Sequence, residues 1–90
     1  MEFKYEENRI FMEDKDGEII AEITFPKYDE NTVNINRTFV SSTLRGQGIA
    51  GQLMEKAVDV IEKNGWKAKT DCSYAEKWAD KHPEKSSLFI

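Results

Sequence analysis

Ninety residues with 39% hydrophobic and 33% charged side chains suffice for one domain with a modest core, 1–90, and exclude a disordered chain. A net charge of −4 and a pI near 5.0 argue against nucleic acid as the main partner, and fit either a basic acceptor such as an amine or plain solubility. No apolar run reaches membrane-spanning length, no basic-plus-apolar leader precedes the first strand, and a lone cysteine excludes an internal disulfide; these features predict a cytoplasmic monomer that does not engage membranes.

Phe3-Lys4-Tyr5 and Arg9 to Glu13 read as two short strands joined around Glu6-Glu7-Asn8. Asp14-Lys15-Asp16-Gly17 is a hairpin signal. Glu18 to Phe25 alternates, with Ile19, Ala21, Ile23 and Phe25 on one face and Glu22 and Thr24 on the other. Pro26 stops that ladder, and Lys27 to Asn31 reads as a polar connection. Thr32 to Val40 alternates again as a single strand, placing Val33, Ile35, Arg37 and Phe39 on one side.

Past a glycine-rich turn, Ile49, Leu53, Ala57, Val60 and Ile61 recur at helical spacing, widened by Met54 and Val58. Asn64-Gly65 is a helix stop. Trp66 to Thr70 is then a strand parallel to Thr32–Val40 through a right-handed crossover. Ser73-Tyr74-Ala75-Glu76 reads as a capping box with Ser73 as the cap. The helix it begins runs to about Lys81, with Ala75, Trp78, Ala79 and His82 along one stripe. Leu88-Phe89-Ile90 either adds an edge strand or frays. The expected fold class is therefore mixed α/β: a mostly antiparallel meander, a crossover helix, one parallel strand and a short second helix.

The turn Val40-Ser41-Ser42-Thr43-Leu44-Arg45-Gly46-Gln47-Gly48-Ile49-Ala50-Gly51 carries the strongest functional signal. Glycines let the backbone approach a bound group closely. The first N–H groups of the following helix lack internal partners and sit at the positive end of its dipole. Strand, glycine turn and helix start together make an anion site, most often for phosphate, and Arg45 adds a permanent cation at its edge. Gly46, Gly48 and Gly51 also match the G-x-G-x-x-G dinucleotide fingerprint, with Asp71 following 20 residues after Gly51. A dinucleotide fold, however, opens with this motif and builds several parallel strands after it, whereas here antiparallel hairpins come first and one crossover follows.

Read from Arg45, the same residues are Arg45-x-x-Gly48-x-Ala50, which resembles the Q/R-x-x-G-x-G/A signature of the GCN5-related N-acetyltransferases. The preceding meander, the helix and parallel strand after it, Cys72-Ser73-Tyr74 and Lys81-His82-Pro83-Glu84 are similar to the small branch of that family. Where such proteins carry I-x-H-T-x-V, this chain has Ile35-Asn36-Arg37-Thr38-Phe39-Val40, so the histidine is replaced by Arg37. The resemblance implies acetyl-CoA as co-substrate and an amine acceptor: a protein terminus, a lysine or a polyamine. It implies that the Thr38, Phe39 and Val40 backbone pairs with the pantetheine arm, while Arg45, Gly46, Gln47, Gly48, Ile49 and Ala50 hold the pyrophosphate.

Cys72 precedes a helix N-terminus, a place that favours a thiolate; it is an acetyl carrier, an acid/base, or a buried packing residue. The resemblance implies that Tyr74 protonates the departing CoA thiolate, the role of a tyrosine in this region of many relatives, and packing is its other reading. His82 reads as a helix-ending structural residue. One histidine and one cysteine make no zinc site, so no metal is expected. The expected activity is transfer of an acetyl group from acetyl-CoA to an amine. The alternative is a CoA-binding module without turnover, because Glu6-Glu7-Asn8 leaves no room for the helices that close the acceptor side in larger relatives.

Overall fold

The structure, a computed structural model, describes residues 2–90. Alternation and turn chemistry produce the first half. β1 (Lys4–Glu6), β2 (Arg9–Glu13) and β3 (Ile19–Thr24) pair antiparallel. Gly17, at φ +83°, closes the β2–β3 hairpin by donating to Asp14 O at 3.0 Å, while Asp14 Oδ1 accepts from the Asp16 and Glu18 N–H groups. Ile10, Met12, Ala21, Ile23 and Phe25 are all buried, so β2 and β3 present one apolar face.

The expected single strand Thr32–Val40 is two strands, β5 (Thr32–Ile35) and β6 (Arg37–Val40), broken at Asn36. Asn36 donates its N–H to Thr24 O at 3.2 Å, and its Oδ1 accepts from the Thr24 hydroxyl. The break inserts one residue and reverses the face alternation, as a bulge does. Val33 and Ile35 stay buried, but Arg37 and Phe39 face outward, and Thr38 and Val40 point inward opposite buried Ile23 and Ala21. It also divides the sheet. β6 continues β1-β2-β3, whereas β5 belongs to a second sheet, in which it lies between β4 (Lys27–Asp29) and β7 (Lys67–Thr70). The crossover strand β7 (Lys67–Thr70) is therefore parallel to β5 alone, from Thr32↔Lys67 to Ile35↔Thr70.

Lys27–Asp29, expected as connection, is strand β4, antiparallel to β5. Pro26 removes only a donor; its carbonyl still accepts from Asn34 N–H at 2.9 Å. All three β4 residues are exposed, so no apolar alternation marked them.

α1 (Ile49–Lys63) lays Leu53, Met54, Ala57, Val58 and Ile61 across both sheets and ends at Asn64, with Gly65 at φ +70°. α2 (Ser73–Lys81) adds Ala75 and Trp78 to the same core. Its N-cap is Cys72, in extended conformation, and not Ser73, which is the first helical residue. The expected capping box does not form, and Glu76 N–H instead donates to Cys72 O at 3.0 Å. A 3-10 turn over Pro83–Leu88 returns the chain to β7, where Ile90 N–H reaches Ala68 O at 3.0 Å; the terminus makes a single parallel bridge, Ala68↔Phe89, and no full strand.

Leu53 is fully buried where α1 crosses the sheets. Leu53→Ala should lower stability by about 3 kcal/mol through lost burial plus the cavity left behind. Tyr28→Ala, on the exposed edge strand, should change it by less than about 0.5 kcal/mol. Urea unfolding of the two variants checks the contrast, and equal midpoints would remove α1 from the centre of the core.

Candidate functional site

β6 and β7 are edge strands of different sheets, so past the last β5–β7 rung, Ile35↔Thr70, β6 and the segment that follows β7 are not paired. In β6, Ser41 N–H donates to Ile20 O at 2.8 Å, so alternation commits the backbone of Phe39 to β3 and turns the N–H and C=O groups of Thr38 and Val40 to the open side. Of the three residues expected to pair with a pantetheine arm, two thus turn backbone groups to the open side, and there the Thr38 N–H lies against the Cys72 sulfur. Phe39 presents only its ring, on the outer face, with the Arg37 guanidinium 5.3 Å from its centre.

β6 leads through a 3-10 turn (Ser42–Leu44) into the glycine segment. Gly46 and Gly48 have φ of +83° and +73°, and a Cβ added to either would point into open space. Gly48 is the left-handed N-cap of α1; no side chain caps this helix and no acidic residue occupies its first turn. Among the described residues, the N–H groups from Gly46 to Gly51 have no backbone acceptor. The Arg45 side chain is exposed and makes no ion pair among the described residues. Gln47 is exposed beside it. A cavity of about 260 Å³ opens here, lined by Val40, Leu44, Arg45, Gly46, Gly48, Ile49, Ala50, Gly51 and Tyr74. The end of β6, the positive end of α1 and the start of α2 therefore share one space. Partnerless N–H groups, a helix dipole and an unpaired guanidinium make it suited to a phosphate-bearing ligand.

A second cavity of about 270 Å³ lies farther along the two helices, over the stack of Trp78 and His82. Glu55, Asp59 and Glu84 line it, so it disfavours an anion.

Tyr74 is 36% exposed, and its Oη lies 3.7 Å from where a Gly51 Cβ would stand. Burial, with the charge of Glu55, raises the Tyr74 phenol above its ordinary value, which keeps it protonated at neutral pH. Cys72 is half-buried and donates its S–H to Thr38 Oγ1 at 3.6 Å across the gap between the sheets. Burial works against a thiolate there, but the Ala75 N–H, the Thr38 hydroxyl and the Tyr74 N–H favour it more, and the thiol is held below its ordinary value. His82 is not in this space. It stacks on Trp78 with ring centres 3.7 Å apart, its Nδ1 2.7 Å from Trp78 O. Arg37 is also tied elsewhere, with Nε 3.0 Å from Glu22 Oε1. Among the described residues, no three His, Cys, Asp or Glu side chains converge to hold a metal ion, and no helix is long and apolar enough to cross a membrane.

Leu44 and Gly51 lay in the turn the sequence singled out but were given no ligand contact, and Glu55 was not singled out at all. Gly51 carried a signal, because it closes the glycine turn on the face that Tyr74 meets. Leu44 and Glu55 carried none, because their relevance depends on how α1 meets α2.

The sequence matches the model of the GCN5-related N-acetyl-transferase family over residues 9–88. The solution structure of a GCN5-like protein from Staphylococcus aureus superposes with a TM-score of 0.82 and 31% identity, over 99% of this chain and 87% of that one. YhbS of Escherichia coli, a GNAT-family N-acetyltransferase solved in complex with CoA, superposes with a TM-score of 0.55 and 25% identity, over 64% of this chain and 35% of that one. Protein NATD1 of Xenopus tropicalis is 30% identical over 63 residues, 70% of this chain; the chain spans 58% of the length of that relative.

The lowered Cys72 thiol has a direct readout. Only the thiolate is alkylated, so the rate with iodoacetamide should rise with pH to a plateau, with its midpoint below that of a free thiol. Thr38→Val, which removes one thiolate-stabilising hydroxyl, should move that plateau to higher pH. A midpoint at or above that of a free thiol would contradict the stabilised anion.

Proposed function

This chain belongs to the GCN5-related N-acetyltransferase family, and from that membership we propose that residues 1–90 act as one unit that moves an acetyl group from acetyl-CoA to an amine. The observation that carries this reading is the single cavity joining the uncapped helix start at Gly48, the end of β6 at Val40, and Tyr74. The glycine-segment N–H groups and Arg45 hold the pyrophosphate. The pantetheine arm adds as a strand to the open edge of β6, through the backbone of Thr38 and Val40, and its thioester reaches into the gap toward Cys72.

A thioester is already activated, so positioning, oxyanion stabilisation and proton transfer are what the protein supplies. The neutral amine attacks the carbonyl carbon, and a β6 N–H facing the gap stabilises the oxyanion. As the tetrahedral intermediate collapses, the C–S bond breaks, the CoA thiolate takes the Tyr74 proton, the nitrogen loses its extra proton to solvent, and solvent returns a proton to the tyrosinate. Burial and Glu55 keep the phenol protonated at neutral pH, so the proton is present to be given. Cys72 serves as acid/base or as a transient acetyl carrier beside the same carbon.

The acceptor approaches from the outer face. β1 and β2 are joined by a tight turn with Asn8 at φ +61°, and both helices pack on the inner face, so the outer side is open enough for a protein terminus, a lysine or a polyamine. The same openness favours the second reading, a CoA-binding module without turnover.

Incubation with acetyl-CoA and a panel of amines, read by mass spectrometry, separates the two. An acetylated amine with release of CoA is expected. Tyr74→Phe should slow it tenfold or more and remove a high-pH fall that otherwise sits above the ordinary tyrosine value of about 10. CoA bound without any acetylated product would leave the binding module.

The phosphate site is tested separately. Arg45→Ala should weaken CoA about tenfold and pantetheine hardly at all, since the guanidinium serves only phosphates. Raising salt should weaken CoA in the same direction. NMR titration should centre the shifts on Arg45 to Ala50, and equal losses for both ligands would make Arg45 a folding residue instead.

A further inference from the structure

The gap between β6 and the segment that follows β7 is a wedge. Its mouth lies at the C-terminal end of β6 and the start of α2, where Val40 and Tyr74 line one cavity. Its apex is the end of the β5–β7 ladder, where the Ile35↔Thr70 pair is followed by Asp71 N–H donating to Ile35 O at 3.0 Å. Between mouth and apex, Cys72 Sγ and Thr38 Oγ1 meet at 3.6 Å. Thr38 faces the helix side, opposite fully buried Ile23, and Ile35 at the apex is fully buried as well. The packed interior therefore begins immediately past this contact.

A strand-like arm held by its pyrophosphate at the turn enters from the mouth, so its acyl end points at Cys72 and Thr38. The open edge from Val40 to Thr38 is about 7 Å long, enough for one pair of amides and no more. A methyl group can end against the sulfur and hydroxyl. A longer chain has no lane between two atoms already in contact, because each apolar contact needs about 4 Å of its own.

We infer that Cys72 and Thr38 together form the stop that restricts the acyl donor to the shortest thioesters, an inference that rests on the acetyl-CoA reading above. The stop acts by bulk, and it is separate from any part Cys72 plays in the chemistry. Either side chain can be shortened without touching the other side of the wedge. Removing Sγ in Cys72→Ala, or the hydroxyl and methyl in Thr38→Ala, opens the lane; Thr38→Val keeps its volume and leaves it shut.

The test uses the full chain and three probes, acetyl-CoA, propionyl-CoA and butyryl-CoA, with dissociation constants from calorimetry. The readout is the ratio of butyryl-CoA to acetyl-CoA affinity within each protein, so that a general loss of binding in a variant cancels. In the wild type, affinity should fall from acetyl to butyryl. Cys72→Ala and Thr38→Ala should each shift the ratio toward butyryl-CoA by about tenfold, as expected for two methylenes gaining burial, while Thr38→Val should leave the ratio as in the wild type. Equal binding of butyryl-CoA and acetyl-CoA by the wild type overturns the stop, as do unchanged ratios in both alanine variants. A Thr38→Val ratio that moves as far as that of Thr38→Ala overturns bulk as its basis. A wild-type protein that binds none of the three thioesters overturns the acetyl-CoA reading itself.

Discussion

Everything at the candidate site depends on the chain changing sheets at Asn36. Up to Ile35 the backbone is paired with β7; from Arg37 it is paired with β3. α1 covers both sheets from one side, so they cannot drift apart, yet they cannot close on each other. Between them β6 keeps an unpaired edge, and unpaired backbone groups next to a packed core are costly unless something pairs with them. In the proposed function, a ligand with amides along an extended arm supplies the missing strand. The break that looks like a flaw in an alternating strand thus leaves an open edge beside the positive end of α1.

For an acidic protein proposed to hold an anionic cofactor, the electrostatic conflict exists only at long range. At physiological salt, charges on the far side of the molecule are screened within about 8 Å. What the phosphates meet is local: the N–H groups of the glycine segment, the α1 dipole and Arg45. The carboxylates near the two helices stand farther along the groove at Glu55, Asp59 and Glu84. They leave the turn free of negative charge, and Glu55 also adds to the raised value of Tyr74.

The parts legible in the sequence were those fixed by local chemistry. The Asp14–Gly17 hairpin, the apolar stripe of α1, its stop at Asn64-Gly65 and the glycine segment each follow from residues close in sequence. The family's signature at Arg45, Gly48 and Ala50 was legible for the same reason. The break at Asn36 was not, because alternation from Thr32 to Val40 says which residues share a face and nothing about which strand lies alongside. β4 was missed since an edge strand with three exposed residues has no apolar pattern. The cap of α2 was misplaced by one residue: Ser73 and Glu76 have the right spacing, but β7 and its last hydrogen bond to Ile35 run to Asp71, leaving Cys72 as the extended residue that turns into the helix. That one-residue shift puts a sulfur, and not a hydroxyl, at the head of the helix, and it brings that sulfur to Thr38.

Among the described residues no helix covers the outer face, and its own side chains cover it instead. Phe11 is only 7% exposed although no helix covers it, because the Arg9 guanidinium lies 4.0 Å above the ring. Glu22 stands between Phe11 and Phe39 in the cross-strand ladder and bonds to both Arg9 and Arg37. Partial burial of Glu22 favours the neutral acid, but the two guanidinium groups outweigh it and hold the carboxyl below its ordinary value. Exposed ion pairs taken singly contribute little. A carboxylate shared by two arginines, each lying over an aromatic ring, shields apolar surface as well as pairing charge. The face is sealed against water by a layer one side chain deep, and that thinness keeps the wedge between β6 and the segment that follows β7 within reach of a bulky acceptor.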